Sequence, residues 1–527
     1  MFDKRASGVL LHISSLPSEG GIGTLGKCAF DFIDFLASCG QTYWQILPVC
    51  PTGYGDSPYQ SFSTFAGNPY FIDLATLQEQ KLLAGTNWRG IDWGDEITQV
   101  DYGKVYTGRQ RVFNVLHQNF QKNIPPDFEP FCAQNSFWLD DYALFMAIKD
   151  AHAGLPFVAW QEDIRVRKPE ALEEWRQKVA PQMMMHKMLQ YLFFKQWSAF
   201  KDYANKRGIS IIGDVPIYVA ADSADVWSAP DQFALDERGI PVEVAGCPPD
   251  AFSDTGQLWG NPVYNWQRMK ESGYSWWKAR MAHSLKVYDA VRIDHFRGFD
   301  AYYSIPYGEE TAEHGVWKPG PGMDLFRSLK EELGQLPVIA EDLGVLTDSV
   351  RQLLADTGFP GMKVLQFAFG EDDSEYLPHN YNKNCVVYTG THDNSTLISW
   401  VMKGAPIENV KRAKTYLRVR GGSASNRLLA REIEIAAMAS VANTCILTMQ
   451  DLLQLEDWAR MNIPSTASGN WRWRVTPYES TSTKVREFLL HWTKQYSRMS
   501  ASFDPSAEEI PRRRRRGRTL LTTRNTL

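Results

Sequence analysis

VRIDHF, at Val291–Phe296, ends a short apolar run with a carboxylate, and the chain repeats this arrangement twice. IAEDLG carries Glu341 and GTHDN carries Asp393, each behind a β-branched or apolar run. The carboxyl ends of parallel strands meet at one rim of a closed sheet. If the three runs are strands of such a sheet, we expect Asp294, Glu341 and Asp393 to surround one pocket.

Short apolar runs with helical sequence between them predict the fold. Nearly continuous apolar runs are typical of parallel strands buried on both faces. We predict strands at Gly8–Ile13, Tyr43–Val49, Ile209–Val215, Ala290–Asp294, Pro337–Glu341, Met362–Phe369, Cys385–Thr389 and Thr444–Met449. This pattern predicts an α/β fold, the (β/α)8 TIM barrel, with a doubly wound open sheet as the alternative.

Long stretches between the runs predict insertions into the barrel. In the 527-residue chain we expect one catalytic barrel over residues 1–498, with a mainly helical subdomain inserted at about 57–200. Helical periodicity there covers Asn135–Asp150 and Met183–Lys206. An insertion at about 220–277, rich in Gly, Pro, Asp and Trp, predicts a long functional loop beside the pocket. For residues 499–527, with Arg512–Arg516, we expect a disordered tail; contact with nucleic acid or an acidic surface is the alternative.

Bulk composition narrows the class of protein. Hydrophobic residues make up 44% of the chain, enough for a sizeable core, and the net charge of -5 argues against a generally basic nucleic-acid surface. Aromatic residues at 13% provide either additional core or platforms for the apolar faces of sugars. The 7 scattered cysteines contain no CxxC pair, and no signal peptide or membrane span is expected. We therefore expect a cytoplasmic protein with no membrane or nucleic-acid partner.

Three carboxylates around one pocket suit cleavage of an α-glycosidic bond. The reaction needs an acid for the leaving oxygen and a carboxylate for the anomeric carbon. Arg292 shares a strand face with Asp294 and would hold it ionised, as suits a nucleophile. Partial burial and the adjacent carboxylate of Asp342 would raise the pKa of Glu341, as suits a general acid. Asp393 could bind two sugar hydroxyls and support ring distortion.

Structural alternatives exist for these residues. A lone Asp after a strand is often a helix N-cap, and Arg292 with Asp294 alone can be a structural ion pair. His12 on the first run is interpreted as a core histidine. His295 and His392 flank the proposed acids, and for them both a structural and a binding role stay open. Three acids together, on the fourth, fifth and seventh runs, favour catalysis.

Several longer segments are specific enough to indicate a family. They are GYGDSPYQSFSTFAGNPYFIDL (Gly53–Leu74), GDVPIYVAADSADVW (Gly213–Trp227), AGCPPDAFSDTGQLWGNPVYNW (Ala245–Trp266), VRIDHFRGF (Val291–Phe299), AEDLG (Ala340–Gly344), THDN (Thr391–Asn394) and RMNIPSTASGNWRWR (Arg460–Arg474). With these motifs the chain resembles the 4-α-glucanotransferases called amylomaltases or disproportionating enzymes, glycoside hydrolase family 77 of the α-amylase clan.

The resemblance implies transfer of α-1,4-glucan segments from a donor maltooligosaccharide to the 4-hydroxyl of an acceptor glucan or glucose. It implies retention through a covalent glycosyl-enzyme, within starch, glycogen or maltodextrin metabolism. By position, Asp294 matches the nucleophile, Glu341 the acid/base and Asp393 the transition-state stabiliser. The resemblance also implies a flap at 246–259 that covers the glucan and touches it with Asp250 and Trp259. Further residues implied to bind the sugar are Tyr59, Asp214, Arg292, His295, His392 and Asn462. A second glucan site at Tyr54 and Tyr102 is implied more weakly.

Two positions depart from the family pattern. Ser395 stands where an acidic residue is expected after THDN, and Ser465 follows Pro464 where Gly is usual. We expect a monomer without cofactor or metal, since no calcium-loop, HExxH or phosphate-loop motif is found. Two alternative functions stay open. The first is a retaining, amylase-like α-glucan hydrolase, which would form the same covalent intermediate. The second is an inactive glucan-binding protein, and the intact carboxylates argue against it.

Overall fold

The predicted strands form a parallel barrel in the computed structural model, which describes residues 1–53, 55–249, 253–344, 346–422 and 425–505. The strands are β1 (Ala6–Leu10), β2 (Tyr43–Gln45), β3 (Ser210–Val215), β4 (Glu243–Cys247), β5 (Gln257–Pro262), β6 (Ala290–Ile293), β7 (Ala301–Pro306), β8 (Val316–Pro319), β9 (Val338–Ala340), β10 (Gly361–Val364), β11 (Cys385–Tyr388) and β12 (Thr444–Thr448). The order of the parallel sheet is β10-β11-β12-β1-β2-β3-β6-β9.

Closure of this sheet makes it a barrel. The amide of Ala340, at the end of β9, donates to the carbonyl of Pro360 just before β10 at 3.0 Å. Each of the eight predicted runs supplies one barrel strand, with shorter bounds than predicted. The (β/α)8 barrel is therefore confirmed. All of the barrel strands except β3 end before the predicted residue, and β1 and β10 also begin before the predicted start.

The barrel interior is packed by inward-facing side chains. They form a cluster separate from the larger core between barrel and helices, and its members include Leu10, Tyr43, Ile212, Ile339, Met362, Val386 and Ile446. Gly8 on β1 leaves room for β2, because a Cβ there would lie 2.4 Å from the carbonyl oxygen of Tyr43. A filled interior leaves the carboxyl-end rim as the place for a site.

Helices cover the outside of the barrel. They are α1 (Lys27–Ser38), α2 (Leu74–Glu79), α3 (Tyr102–Lys122), α4 (Phe128–Gln134), α5 (Ser136–Ala151), α6 (Glu162–Arg165), α7 (Pro169–Lys178), α8 (Ala180–Lys206), α9 (Ala224–Ser228), α10 (Trp266–Glu271), α11 (Ser275–Val287), α12 (Met323–Leu333), α13 (Asp348–Thr357), α14 (Leu397–Ser399), α15 (Ile407–Tyr416), α16 (Asn426–Ala439), α17 (Met449–Leu452) and α18 (Thr483–Gln495). The long connection from β2 to β3 contains α2 to α8, in agreement with the mainly helical insertions expected for the fold, whereas a separate subdomain at about 57–200 stays a prediction. α8 covers one predicted helix, and α5 begins one residue later than the other.

Local sequence explains how the helices begin and end. The hydroxyl of Thr347 accepts from the amide of Val350 and caps α13, a contact worth about 1 kcal/mol. Gly358 ends the same helix with φ at 70°, in the left-handed region that glycine tolerates best. Val350 and Leu353 on the buried face pack this helix inward. These signals define the helix that connects β9 to β10.

The second insertion contains strands that we did not predict. β4 and β5 pair with β7 and β8 in an antiparallel sheet of order β5-β4-β7-β8. The stretch predicted as a long loop over 220–277 therefore contains two strands, and its role as an active-site insertion stays a prediction. Glycines and prolines weaken the local strand signal of β4 and β5, and the partner β7 lies far along the chain. Pairing over such a distance is not encoded locally.

Several expectations lie beyond what the fold tests. The boundary of a catalytic unit at residue 498 and the separate tail stay predictions, and Arg512–Arg516 lie outside the described residues. No helix in the described ranges is both long and apolar enough to span a bilayer.

Candidate active site

A buried arginine forms the base of the site. Asp214 on β3 and Arg292 on β6 are register partners, so their side chains lie side by side. Arg292 Nη1 donates to both carboxylate oxygens of Asp214 at 2.9 and 2.8 Å, and Nη2 lies 2.9 Å from Asp294 Oδ1. Although burial lowers the pKa of Arg292, the two carboxylates raise it well above its usual value. A permanent cation therefore orients Asp294, the expected ion pair.

Asp214 is beneath the cavity wall. Its side chain has 0% exposure, and Tyr59 donates its hydroxyl to it at 2.7 Å. With both oxygens engaged by Arg292, the carboxylate has no open side toward the cavity. This position favours a supporting role, in which Asp214 fixes Arg292 and Tyr59.

Glu341 lies directly after β9 and is held by backbone donors. Its Oε2 accepts the amide of His295 at 2.6 Å, and its Oε1 accepts the amide of Leu343 at 3.0 Å. Burial raises the pKa of Glu341 to about 7, and the charge of Asp294 adds to this effect. A carboxyl group with this pKa holds its proton on about half of the molecules at neutral pH, as general acid catalysis requires.

Asp342, whose carboxylate we expected to act on Glu341, makes a structural hydrogen bond. Asp342 accepts the amide of Met362 at 2.6 Å and joins the chain after β9 to β10. The expectation that Asp342 raises the pKa of Glu341 is therefore wrong, because the neighbouring charge that does so is that of Asp294. Adjacency in the chain was misleading, since successive residues after a strand point to different sides.

His295 has a strained backbone beside the acids. Its φ is 51°, a left-handed conformation that costs a non-glycine residue about 1–3 kcal/mol. The conformation directs its amide to Glu341. Burial lowers the pKa of the imidazole to about 4, so the ring is neutral at pH 7 and can bond a hydroxyl. The ring meets Trp259 edge-on, with centroids 4.8 Å apart.

Asp393 is held in a turn well beyond β11. Asn462 donates its side-chain amide to Asp393 Oδ1 at 2.7 Å, and His392 Nε2 lies 3.4 Å from Asp393 Oδ2. The imidazole of His392 is buried and stacks on the Tyr59 ring, with centroids 5.1 Å apart and 14° between planes. Tyr59 therefore links the Asp393 turn to the Asp214–Arg292 pair.

These groups surround one cavity of about 410 Å³ at the carboxyl ends of the barrel strands. The predicted residues that line it are Asp294, Glu341, Asp393, Tyr59, Trp259, Arg292, His295, His392 and Asn462. The three acids meet as the sequence predicted. In the described part of the chain, no cluster of His, Cys, Asp and Glu has the arrangement of a metal site.

Among the predicted binding residues that the structure describes, Asp214 and Tyr102 do not line this cavity. Asp250 and Tyr54 lie outside the described residues. Tyr102 begins α3 half-buried, donates its hydroxyl to the carbonyl of Trp471 at 2.8 Å and packs 5.8 Å from Tyr106. It therefore braces the segment that carries Trp471, and the second glucan site stays a prediction.

Other wall residues were missed from the sequence. Trp471 lies 5.8 Å from Tyr59 and 5.9 Å from His392, between ring centroids. Tyr218 and Asn261 also line the cavity. All three belong to the family-like segments, and aromatic or amide side chains inside those segments are the signal that could have found them.

The departure at Ser465 leads to a stability prediction. Ser465 lies at the cavity rim with φ at 63°, where glycine avoids a cost of about 1–2 kcal/mol. Because glycine loses more entropy on folding, we expect Ser465→Gly to raise the free energy of unfolding by about 0.5–1 kcal/mol. Denaturant unfolding measures this change. Ser468→Gly is the control, because Ser468 lies outside the left-handed region and should only lose stability; equal losses in both variants would contradict the strain.

Comparisons with known proteins agree with this site. The family profile described as 4-alpha-glucanotransferase, glycoside hydrolase family 77, matches residues 11–481. A 4-alpha-glucanotransferase of Clostridium butyricum is 49% identical over 467 residues, 88% of this chain and 95% of that one. One from Streptococcus pneumoniae is 48% identical over 500 residues, 94% of this chain and 98% of that one.

A solved structure of the same family is also similar to this chain in its fold. The amylomaltase from Streptococcus agalactiae, in complex with acarbose, superposes with a TM-score of 0.91 at 42% identity, covering 94% of this chain and 100% of that one. The comparisons confirm the predicted resemblance and the predicted enzyme class over nearly the whole chain. The chain belongs to the 4-α-glucanotransferases of glycoside hydrolase family 77.

Proposed function

We propose that the enzyme moves α-1,4-glucan segments by a retaining double displacement at the three-carboxylate cavity. Glu341 protonates the glycosidic oxygen while Asp294 attacks the anomeric carbon, and the reducing-end fragment leaves. An acceptor glucan or glucose then enters, and Glu341 removes the proton from its 4-hydroxyl. The new α-1,4 bond forms as Asp294 departs. The observation that carries this proposal is the meeting of Asp294, Glu341 and Asp393 in one cavity.

The different environments of the two central acids support their assignment. Asp294 pairs with a permanent cation, whereas Glu341 is buried with a pKa of about 7. Two carboxyl groups in such different environments, one of them with a raised pKa that suits an acid, are the pattern of retaining glycosidases. The amide that binds Glu341 belongs to the residue next to Asp294, which favours the retaining separation of about 5–5.5 Å over the wider inverting one.

The remaining wall groups support binding of the sugar at the cleavage point. Asp393 offers an anchored carboxylate to two hydroxyls, with Asn462 beside it. Tyr59, Trp259 and His392 provide aromatic rings for the same sugar, and His295 adds a neutral imidazole. Arg292 and Asp214 hold this arrangement from below, and Asp250 and the Tyr54–Tyr102 pair complete the proposed glucan contacts. The relative from Streptococcus agalactiae was solved with acarbose, which supports a glucan-like ligand here.

Incubation with maltotriose tests transfer against hydrolysis. Transfer yields glucose together with oligosaccharides longer than maltotriose, because a glucan accepts the intermediate. Hydrolysis yields only maltose and glucose, because water accepts it. Unchanged maltotriose would favour the inactive glucan-binding alternative. Chromatography of the products over time distinguishes the three outcomes, and long products should dominate the early phase.

Trp259 is expected to separate acceptor from water. It lines the cavity and packs on His295, so Trp259→Ala removes apolar surface and opens a path for water. We expect KM for maltotriose to rise about tenfold, a loss near 1.4 kcal/mol, with a larger hydrolysed fraction. Trp317→Ala is the matched control, since that tryptophan is 42% exposed on the same antiparallel sheet and lies outside the cavity wall. Identical kinetics in the two variants would contradict this role.

We also propose a cytoplasmic monomer, with glucans as its partners. The cysteines of the chain are free thiols, some half-buried, which suits a reducing compartment. Light scattering during size-exclusion chromatography measures the oligomeric state. The mass of a dimer would contradict the proposed monomer.

A further inference from the structure

Arg460 contacts the Asp393 turn and the segment of Asn462 with the three nitrogens of its guanidinium group. Its Nε donates to the carbonyl of Asn462 at 2.7 Å, its Nη1 to Ser395 Oγ at 3.2 Å, and its Nη2 to the carbonyl of Asp393. The amide of Asn462 also donates to the carbonyl of His392 at 3.1 Å. One side chain thus ties together the two segments that carry Asp393 and its partner Asn462.

The Asp393 turn depends on such ties. It lies outside helices and strands, and the Asp393 side chain is 43% exposed. Its carboxylate is fixed by Asn462 at 2.7 Å and, more weakly, by His392 at 3.4 Å. Both of these residues belong to segments joined to Arg460 directly or through one hydrogen bond. A displacement of about 1 Å at a catalytic group can cost about 100-fold in rate.

The acceptors of Arg460 are neutral oxygens. Ser395 provides a hydroxyl at a position where an acidic residue is expected for the family. Arg460 forms no ion pair with a carboxylate among the described residues. An acid at position 395 would compete for the guanidinium with the Asp393 carbonyl. In this chain the planar donor group is therefore available to the two backbone carbonyls that set the turn.

We propose that Arg460 is a positioning residue, which holds Asp393 in the pose that binds the transition state through backbone carbonyls and not through an ion pair. The inference rests on the proposed function, because it requires Asp393 to act in the reaction. It adds a residue that does not line the cavity yet sets the geometry of one that does.

Arg460→Met tests the proposal, because methionine keeps much of the length and removes every donor. We expect kcat on maltotriose to fall about 10–100-fold with KM changed less than threefold, since the loss affects the transition state more than the ground state. Arg460→Lys, which retains one charged donor, should recover part of the rate. Arg327→Met is the matched control, because Arg327 is 65% exposed on α12 and pairs with Asp324.

A double-mutant cycle with Asp393→Asn separates the possible failures. If Arg460 acts through Asp393, Arg460→Met should change the residual rate of Asp393→Asn less than twofold. Full additivity, or unchanged kcat in Arg460→Met, would overturn the positioning role while leaving the function of Asp393 intact. Wild-type activity in Asp393→Asn would instead overturn the proposed function. Near-identical circular dichroism of all variants verifies that they are folded.

Discussion

Glu341→Gln should lower the turnover of maltotriose about 10³-fold or more while leaving glucan binding nearly unchanged. Glutamine keeps the shape and can accept one backbone amide, but it cannot deliver a proton. Initial rates and calorimetric titration with maltoheptaose measure the two quantities. Glu331→Gln on the exposed side of α12 is the control and should behave as the wild type. Turnover close to the wild-type rate would remove Glu341 from its role.

The pKa of Glu341 predicts how the activity and the stability of the wild type and of Glu341→Gln depend on pH. Wild-type activity should fall as pH rises through about 7, because the acid loses its proton there. The residual activity of Glu341→Gln should not show this fall near pH 7. The free energy of unfolding of the wild type should also fall as pH rises. The folded-state pKa is raised from 4.5, so ionisation penalises the folded protein increasingly between pH 4.5 and about 7, and fully above. At pH 8 the variant should gain up to about 3 kcal/mol over the wild type, and nothing at pH 4.

Asp294→Asn should lower turnover about 10⁴-fold or more and abolish the covalent intermediate. The intermediate can be observed directly in Glu341→Gln with α-maltosyl fluoride, because fluoride departs without a proton. The second step then stalls, since no group takes the proton from the acceptor. Intact-protein mass spectrometry should show the added maltosyl group, and peptide mapping should place it on Asp294.

Controls for this experiment come from the same chain. The double variant Asp294→Asn with Glu341→Gln should form no adduct, whereas Asp356→Asn on the exposed face of α13 should leave trapping unchanged. Asn at 294 leaves Arg292 paired with Asp214, so the fold should persist, and circular dichroism verifies this. An adduct mapped to Asp393 would reverse the assigned roles.

The positions of the barrel strands were accessible from the sequence because their signal is local. A run such as CVVY in β11 is buried at every position, and short continuous runs of this kind are typical of strands buried on both faces. The carboxylates were accessible because they directly follow such runs or occupy a specific motif. β4 and β5 were not, since their glycines and proline lack a local strand pattern and their stability comes from pairing with β7.

Assignments that depend on the surroundings were less reliable. Asp214 was expected at the sugar, and that contact stays a prediction; in the structure its register partner Arg292 holds it outside the cavity lining. Asp342 was expected to influence Glu341, yet it bonds to β10. Both placements have one physical cause: the direction of a side chain depends on its neighbours in the sheet as well as on its place in the chain.

By itself, the sequence determined the barrel, its helical insertion and the three acids of the site. These follow from periodicity and from motif residues that lie close together in the chain. Only the tertiary structure decided that Glu341 is buried next to Asp294, that Arg292 serves two carboxylates and that Arg460 braces the Asp393 turn. Charge interaction and desolvation depend on distances in space, and the partners concerned are up to tens of residues apart in the chain.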